Sequence, residues 1–133
     1  MNRSEASGVF KLEREKTDLT PYVLIDEEKK YMKLEGESYH ENVTLFFKDI
    51  TEWMTGFLEK DFDSFTFDCC LTYFSSSTVK VLLNIFLDMD NSKNAKNINV
   101  NWITTKKNKI IIECGEDYKE DMKNIVFNIV VKD

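Results

Sequence analysis

Hydroxyl groups are the chemistry this sequence gathers most densely. Ser75, Ser76, Ser77 and Thr78 are consecutive, and they sit between the strand-like run Phe65-Thr66-Phe67-Asp68-Cys69-Cys70-Leu71-Thr72-Tyr73 and a helical pattern beyond them. A hydroxyl at such a junction can accept an unpaired amide hydrogen of the first helical turn, or can itself accept a phosphoryl group. As a nucleophile it would need a base, and the single histidine, His40, is the one candidate to partner Ser76. No third orienting residue and no oxyanion donor is legible beside that pair, so hydrolysis is disfavoured and no catalytic residue is assigned.

Other reactive residue types are too sparse or too poorly spaced. Cys69, Cys70 and Cys114 form an odd set, and neighbours on a strand point to opposite faces, which predicts reduced thiols rather than a bridge. No paired Cys or His spacing suits a structural metal. Glu116, Asp117, Glu120 and Asp121 read as a solvated helix face rather than a metal cage. The four glycines, Gly8, Gly36, Gly56 and Gly115, are too scattered for a phosphate-cradling loop or a dinucleotide fingerprint. No metal and no cofactor is expected.

Periodicity identifies the elements that must position the serines. Phe10-Lys11-Leu12-Glu13-Arg14 alternates as a short first strand; Tyr22-Val23-Leu24-Ile25 and Tyr31-Met32-Lys33-Leu34, the latter closed by Gly36, pair as a hairpin. From Asn42 the spacing turns helical. Val43, Phe46, Ile50, Trp53, Met54, Phe57 and Leu58 form an apolar face opposite Lys48, Glu52, Thr55 and Glu59, and Glu41-Asn42 reads as the helix start. Phe65, Phe67, Cys69, Leu71 and Tyr73 share one face of a central strand. Val79, Leu82, Leu83, Ile85, Phe86 and Met89 predict a second helix over 78–90, with Ser77, Lys80, Asn84, Asp88 and Asn91 on its polar stripe. Residues 98–103 alternate as a further strand, and Trp53 and Trp102 are expected in the core. Ile110-Ile111-Ile112 favours a strand by β-branching but leads into a helical pattern up to Met122, so helix and strand both stay open there; residues 125–131 read as a last strand. The expected fold class is α/β: a sandwich of a mixed, mainly β-sheet core with helices packed on it and an N-terminal β-hairpin. Residues 1–8 are expected as a flexible tail and 9–133 as a single domain.

A chain of 133 residues, 42% hydrophobic and 32% charged, suits one globular domain. Lys and Arg number 18 against 24 Asp and Glu, a net charge of −6 that disfavours a nucleic-acid partner. No apolar run approaches the roughly 20 residues that span a bilayer. The start Met1-Asn2-Arg3-Ser4-Glu5 lacks the apolar core of a signal peptide, so a cytoplasmic protein without a membrane partner is expected.

Three motifs in register then carry a resemblance. They are Thr20-Pro21 before the hairpin, Gly36-Glu37-Ser38-Tyr39-His40-Glu41-Asn42 before the helix containing Trp53, and Leu71-Thr72-Tyr73-Phe74-Ser75-Ser76-Ser77-Thr78-Val79-Lys80. In order and spacing the chain resembles the SiaC-type regulatory phosphoproteins. In that family the middle motif commonly reads Ser-Tyr-Pro-Glu-Asn, the third Tyr-x-Asn-Thr-Ser-Ser-x-Lys, and a later Gly-Glu-Asp matches Gly115-Glu116-Asp117. The resemblance implies a fold similar to the sulfate-transporter and anti-sigma-antagonist (STAS) domain. It also implies a non-catalytic protein of bacterial partner-switching signalling, whose phosphorylation by a dedicated kinase and dephosphorylation by an opposing phosphatase gate a target such as a diguanylate cyclase. Aligning Tyr73 and Lys80 without a gap carries the family's phosphorylated Thr onto Ser76, with Ser77 as the nearest competitor. Ser75 replaces the motif's Asn, His40 replaces its Pro, and Thr104-Thr105-Lys106-Lys107-Asn108-Lys109 stands where many relatives are acidic.

Phosphate on Ser76 would place roughly −1.5 to −2 charges at a helix N-terminus, where dipole and free amides favour it. The fold should survive, while a partner docking there meets a new anion. The expected partner-binding residues are Ser75, Ser77, Thr78, Lys80, Asn84 and Asp88, with Tyr39, His40, Glu41 and Asn42 of the middle motif. The rival reading is an unswitched small-ligand or scaffold domain of the same fold, and a homo-oligomer stays open.

Overall fold

Burial alternates along the strands. In the computed structural model, which describes residues 3–4 and 9–133, Val23, Ile25, Met32 and Leu34 point to one side of the sheet, while Tyr22, Leu24, Tyr31 and Lys33 lie partly exposed on the other. The strands are β1 (Arg3–Ser4), β2 (Val9–Arg14), β3 (Tyr22–Asp26), β4 (Tyr31–Ser38), β5 (Phe65–Phe74), β6 (Ile98–Thr105) and β7 (Val126–Lys132). The α-helices are α1 (Val43–Phe57), α2 (Ser76–Asp90) and α3 (Lys109–Asp121), and a single 3-10 turn at Ala95–Asn97 leads into β6. The strands lie side by side in chain order; β1 to β4 pair antiparallel and β4 to β7 pair parallel, so the sheet is mixed. Of the expected tail, residues 1, 2 and 5–8 lie outside the described residues, and Arg3–Ser4 pairs with Phe10 and Val9.

Each parallel step is bridged by one α-helix, and all three α-helices cover the same face. Phe57 of α1 stands 4.9 Å from Phe65, Phe86 of α2 5.9 Å from Phe67, and Tyr118 of α3 5.2 Å from Trp102, measured between ring centroids. Those sheet residues share one face, because Phe65 and Phe67 are two apart on β5 and Trp102 is in register with Cys69. No described helix is long and apolar enough to cross a membrane.

The structure corrects several expectations. On α1 the buried stripe is Val43, Phe47, Ile50, Met54 and Phe57; Phe46 and Trp53 are only half-buried at its shoulder, where Trp53 stacks 5.8 Å from Phe10 and its indole N–H donates to Glu27 Oε1 at 2.8 Å. Gly36 does not close β4. The strand continues to Ser38 through a bulge at which Gly36 adopts φ +123°, a conformation L side chains rarely adopt. At that bulge Gly36 opposes Leu71 but Glu37 opposes Tyr73, so β5 carries one extra residue and its alternation inverts. Tyr73, expected with the core face, is therefore 61% exposed, and Phe74 packs against Trp102 instead. Residues 109–121 are helix throughout. β6 and β7 are parallel neighbours, and a parallel connection needs a crossover that a strand at 110–112 could not supply. α3 presses close on the sheet: Trp102 Nε1 donates to Ile111 O at 2.8 Å, and a Cβ on Gly115 would come 2.3 Å from the Trp102 ring.

Candidate functional site

Parallel direction gathers the motifs at one end of the molecule. β4, β5, β6 and β7 finish on the same edge, and α1, α2 and α3 start from it. Hydrogen bonds knit this edge together. Ser75 N donates to Ser38 O at 3.0 Å, Lys106 N to Lys132 O at 3.0 Å, and Asn108 Nδ2 to Thr72 O at 3.0 Å.

The four hydroxyls divide into two tied into the fold and two open to solvent. Ser75 is the N-cap of α2, its Oγ accepting from Thr78 N at 3.3 Å, which satisfies one of the unpaired amides of the first turn. α2 starts at Ser76 rather than at Thr78, so Ser75 alone belongs to the loop. Thr78, expected among the partner-binding residues, is fully buried and cannot form part of the surface. Its Oγ1 donates to Ser38 O at 3.1 Å and lies 2.9 Å from Ser38 Oγ, joining the middle and third motifs through the core. Ser76 and Ser77 occupy the first two helical positions and are exposed. Lys80, Asn84 and Asp88 follow at helical spacing, all exposed, as a stripe running from that turn.

The middle motif starts α1 at the same edge. Asn42 is its N-cap, Oδ1 accepting from Leu45 N at 3.1 Å, and His40 Nδ1 accepts from Asn42 N at 2.8 Å. That bond occupies the nitrogen, and no hydrogen bond joins His40 to Ser76 among the described residues. Glu41 and Asn42 are exposed; Tyr39 is half-buried, meets Tyr73 edge-on at 4.9 Å, and its phenol oxygen is buried without a hydrogen-bond partner. Burial pushes up the thiols of Cys69, Cys70 and Cys114, which leaves each less nucleophilic at neutral pH. Glu116, Asp117, Glu120 and Asp121 all lie exposed along α3.

Sequence reasoning missed the apolar part of this edge. Six large apolar side chains are exposed among the described residues: Leu19, Leu45, Tyr73, Ile110, Val126 and Val131. All but Val126 lie at the serine end. Leu19 O accepts from Tyr39 N at 2.7 Å, Leu45 is in the first turn of α1, Tyr73 precedes the serines, Ile110 is in the first turn of α3, and Val131 is near the end of β7. Lys80 and the turn bearing Lys106, Lys107 and Lys109 complete the edge, all four exposed.

Comparison with known proteins agrees with this architecture. In the crystal structure of diguanylate cyclase SiaD in complex with its activator SiaC from Pseudomonas aeruginosa, one chain superposes with TM-score 0.83 at 23% identity, over 91% of this chain and 99% of that one. A separate structure of SiaC of Pseudomonas aeruginosa matches with TM-score 0.79 at 21% identity, over 92% of this chain and 97% of that chain. An uncharacterized protein of Pseudomonas aeruginosa (strain UCBPP-PA14) is 25% identical over 107 residues, 79% of this chain and 84% of that protein. The family model of the SiaC regulatory phosphoproteins matches residues 14–132, from the end of β2 through β7, and the chain therefore belongs to the SiaC family of regulatory phosphoproteins.

Proposed function

We propose that this protein is a non-catalytic switch: unmodified, it engages and activates a target signalling protein, a diguanylate cyclase, and phosphorylation of Ser76 by a kinase, reversed by a phosphatase, breaks that contact. The observation that carries the reading is that five of the six exposed large apolar side chains among the described residues lie at the same end of the molecule as the exposed Ser76 and Ser77. Exposed apolar groups concentrated at one end mark that end for interaction, and a charge added to a hydroxyl there changes what can dock. A phosphate at the first helical position keeps the fold, because the dipole and free amides of α2 favour it. It opposes a partner that must bury Tyr73 and Ile110, since docking would strip water from the added anion. The fold shared with a SiaC chain solved together with SiaD supports a cyclase as the target.

Calorimetric titration of a purified diguanylate cyclase with unmodified protein, and with protein carrying phosphoserine at position 76, tests this. Binding that is lost or strongly weakened by the phosphoserine is expected. Equal affinity for the two forms refutes the switch, because a modification without differential affinity shifts no equilibrium.

A further inference from the structure

We propose that the part of this edge formed by Lys80 of α2 and by Lys107 and Lys109 between β6 and α3 docks an acidic segment of the partner protein, with Tyr73 and Ile110 receiving that segment's apolar side chains. The inference deepens the reading above: it rests on this edge being the partner surface and names the chemistry of what lies on it.

The charge distribution carries the argument. The chain as a whole is at −6, so a cationic patch stands out from its surroundings. Residues 104–112 hold Lys106, Lys107 and Lys109 and no acid. Lys106 pairs with the exposed Asp133 at 2.9 Å, whereas Lys80, Lys107 and Lys109 take part in no ion pair among the described residues. Two tethers hold this basic turn beside the serines. Asn108 Nδ2 donates to Thr72 O at 3.0 Å, and Tyr118 Oη donates to Val79 O at 2.8 Å, drawing α3 against the first turns of α2.

Apolar groups lie among these cations, Ile110 being 77% exposed directly after Lys109. Unpaired ammonium groups interleaved with exposed apolar side chains complement a segment that carries carboxylates and apolar anchors together. The α1 side of the edge has the opposite sign, with Glu37 and Glu41 exposed, so the same segment is disfavoured there and its placement is directional. A phosphoryl group on Ser76, one helical turn before Lys80, adds its negative charge on the lysine side. It therefore competes with the acidic segment for the same cations.

The test uses the full chain, isotope-labelled for NMR, and two short amphipathic peptides with the same leucine face, one bearing glutamates and the other lysines on its polar face. The glutamate peptide should bind about tenfold or more tighter at low salt, with the advantage shrinking as salt screens it. Its shifts should map to Tyr73, Lys80, Lys107, Lys109 and Ile110. The double variant Lys107→Glu/Lys109→Glu should remove the advantage, while Lys96→Glu/Lys119→Glu, the same charge change at the far end of the molecule, should keep it. Equal binding of the two peptides, an equal loss in both double variants, or shifts mapping elsewhere would each overturn the assignment. No peptide preference together with a phosphorylation-sensitive cyclase removes this inference and leaves the switch standing. A retained preference together with a phosphorylation-insensitive cyclase removes the switch alone.

Discussion

Replacing Thr78 by Val keeps the β-branched shape and deletes one hydroxyl from a fully buried position. That oxygen donates to Ser38 O at 3.1 Å, lies 2.9 Å from Ser38 Oγ, and lies 3.2 Å from Ser75 Oγ. A hydrogen bond lost from the folded state costs about 0.5–1.5 kcal/mol net, and a buried polar atom left without a partner costs about 1–3 kcal/mol. Ser38 Oγ is that atom, on a residue 1% exposed, while Ser38 O keeps the Ser75 amide. Thr78→Val should therefore destabilise the protein by about 2–4 kcal/mol. With about 2.1 cal/mol/K of unfolding entropy per residue, that lowers the Tm by roughly 7–14 °C for a chain of this length. Urea unfolding followed by tryptophan fluorescence measures it, provided the slope stays constant. The companion variant Ser38→Ala, alone and combined, completes a cycle. The double variant strands no hydroxyl, so its loss should fall short of the sum of the singles by about 1–2 kcal/mol. A Thr78→Val protein within about 0.5 kcal/mol of wild type, or a strictly additive cycle, would refute the claim that this bond joins the two motifs.

Gly115→Ala and Gly56→Ala make the same change on two helices and should act in opposite directions. At Gly115 the new Cβ would lie 2.3 Å from the buried Trp102 ring, so a loss of about 1–3 kcal/mol is expected despite alanine's better helix propensity; at Gly56 nothing lies within 4 Å, so a gain of about 0.5–1 kcal/mol is expected. Thermal melts of both decide it, and a shared sign would sink the packing argument. For Asp90, burial pushes the carboxyl up, but the amides of Ile125, Asn124 and Lys123 outweigh it and hold the group below its ordinary range. Its stabilisation is thus complete above the unfolded value of about 3.9 and lost as pH falls through the lower folded value, so the stability of Asp90→Asn should fall less steeply than wild type below about pH 4. Ile50→Ala and Phe86→Ala should each cost about 2–5 kcal/mol in denaturant unfolding, both side chains being buried between helix and sheet; an unchanged midpoint would show the helix faces to be assigned wrongly.

Features determined by the chain's own periodicity are legible in the residue order itself. The α1 and α2 segments, their exposed stripes and the start of α1 at Asn42 follow from contacts within a few residues, Asn42 reaching Leu45, whereas which of the consecutive serines caps α2 does not. The strands follow in the same way, because a two-residue repeat survives whichever neighbours a strand acquires. Periodicity misleads where adjacent residues compete for one place. Phe46 and Phe47 differ by about 100° of helix rotation, and only the position of the sheet decides that Phe47 turns inward.

What tertiary structure alone decided is which groups meet at the serine end and which of them face solvent. The bulge that turns Tyr73 outward is a mismatch between β4 and β5, so neither strand shows it by itself. The burial of Thr78 rests on Ser38, 40 residues away, and the placement of the lysine turn rests on Thr72, 36 residues from Asn108. Ile110-Ile111-Ile112 became helical because two parallel strands must be joined by a crossover, a requirement set by strand direction and not by β-branching. Secondary structure is written in short-range spacing, whereas the exposure of a side chain at a sheet edge depends on the register and direction of strands brought together from distant parts of the chain.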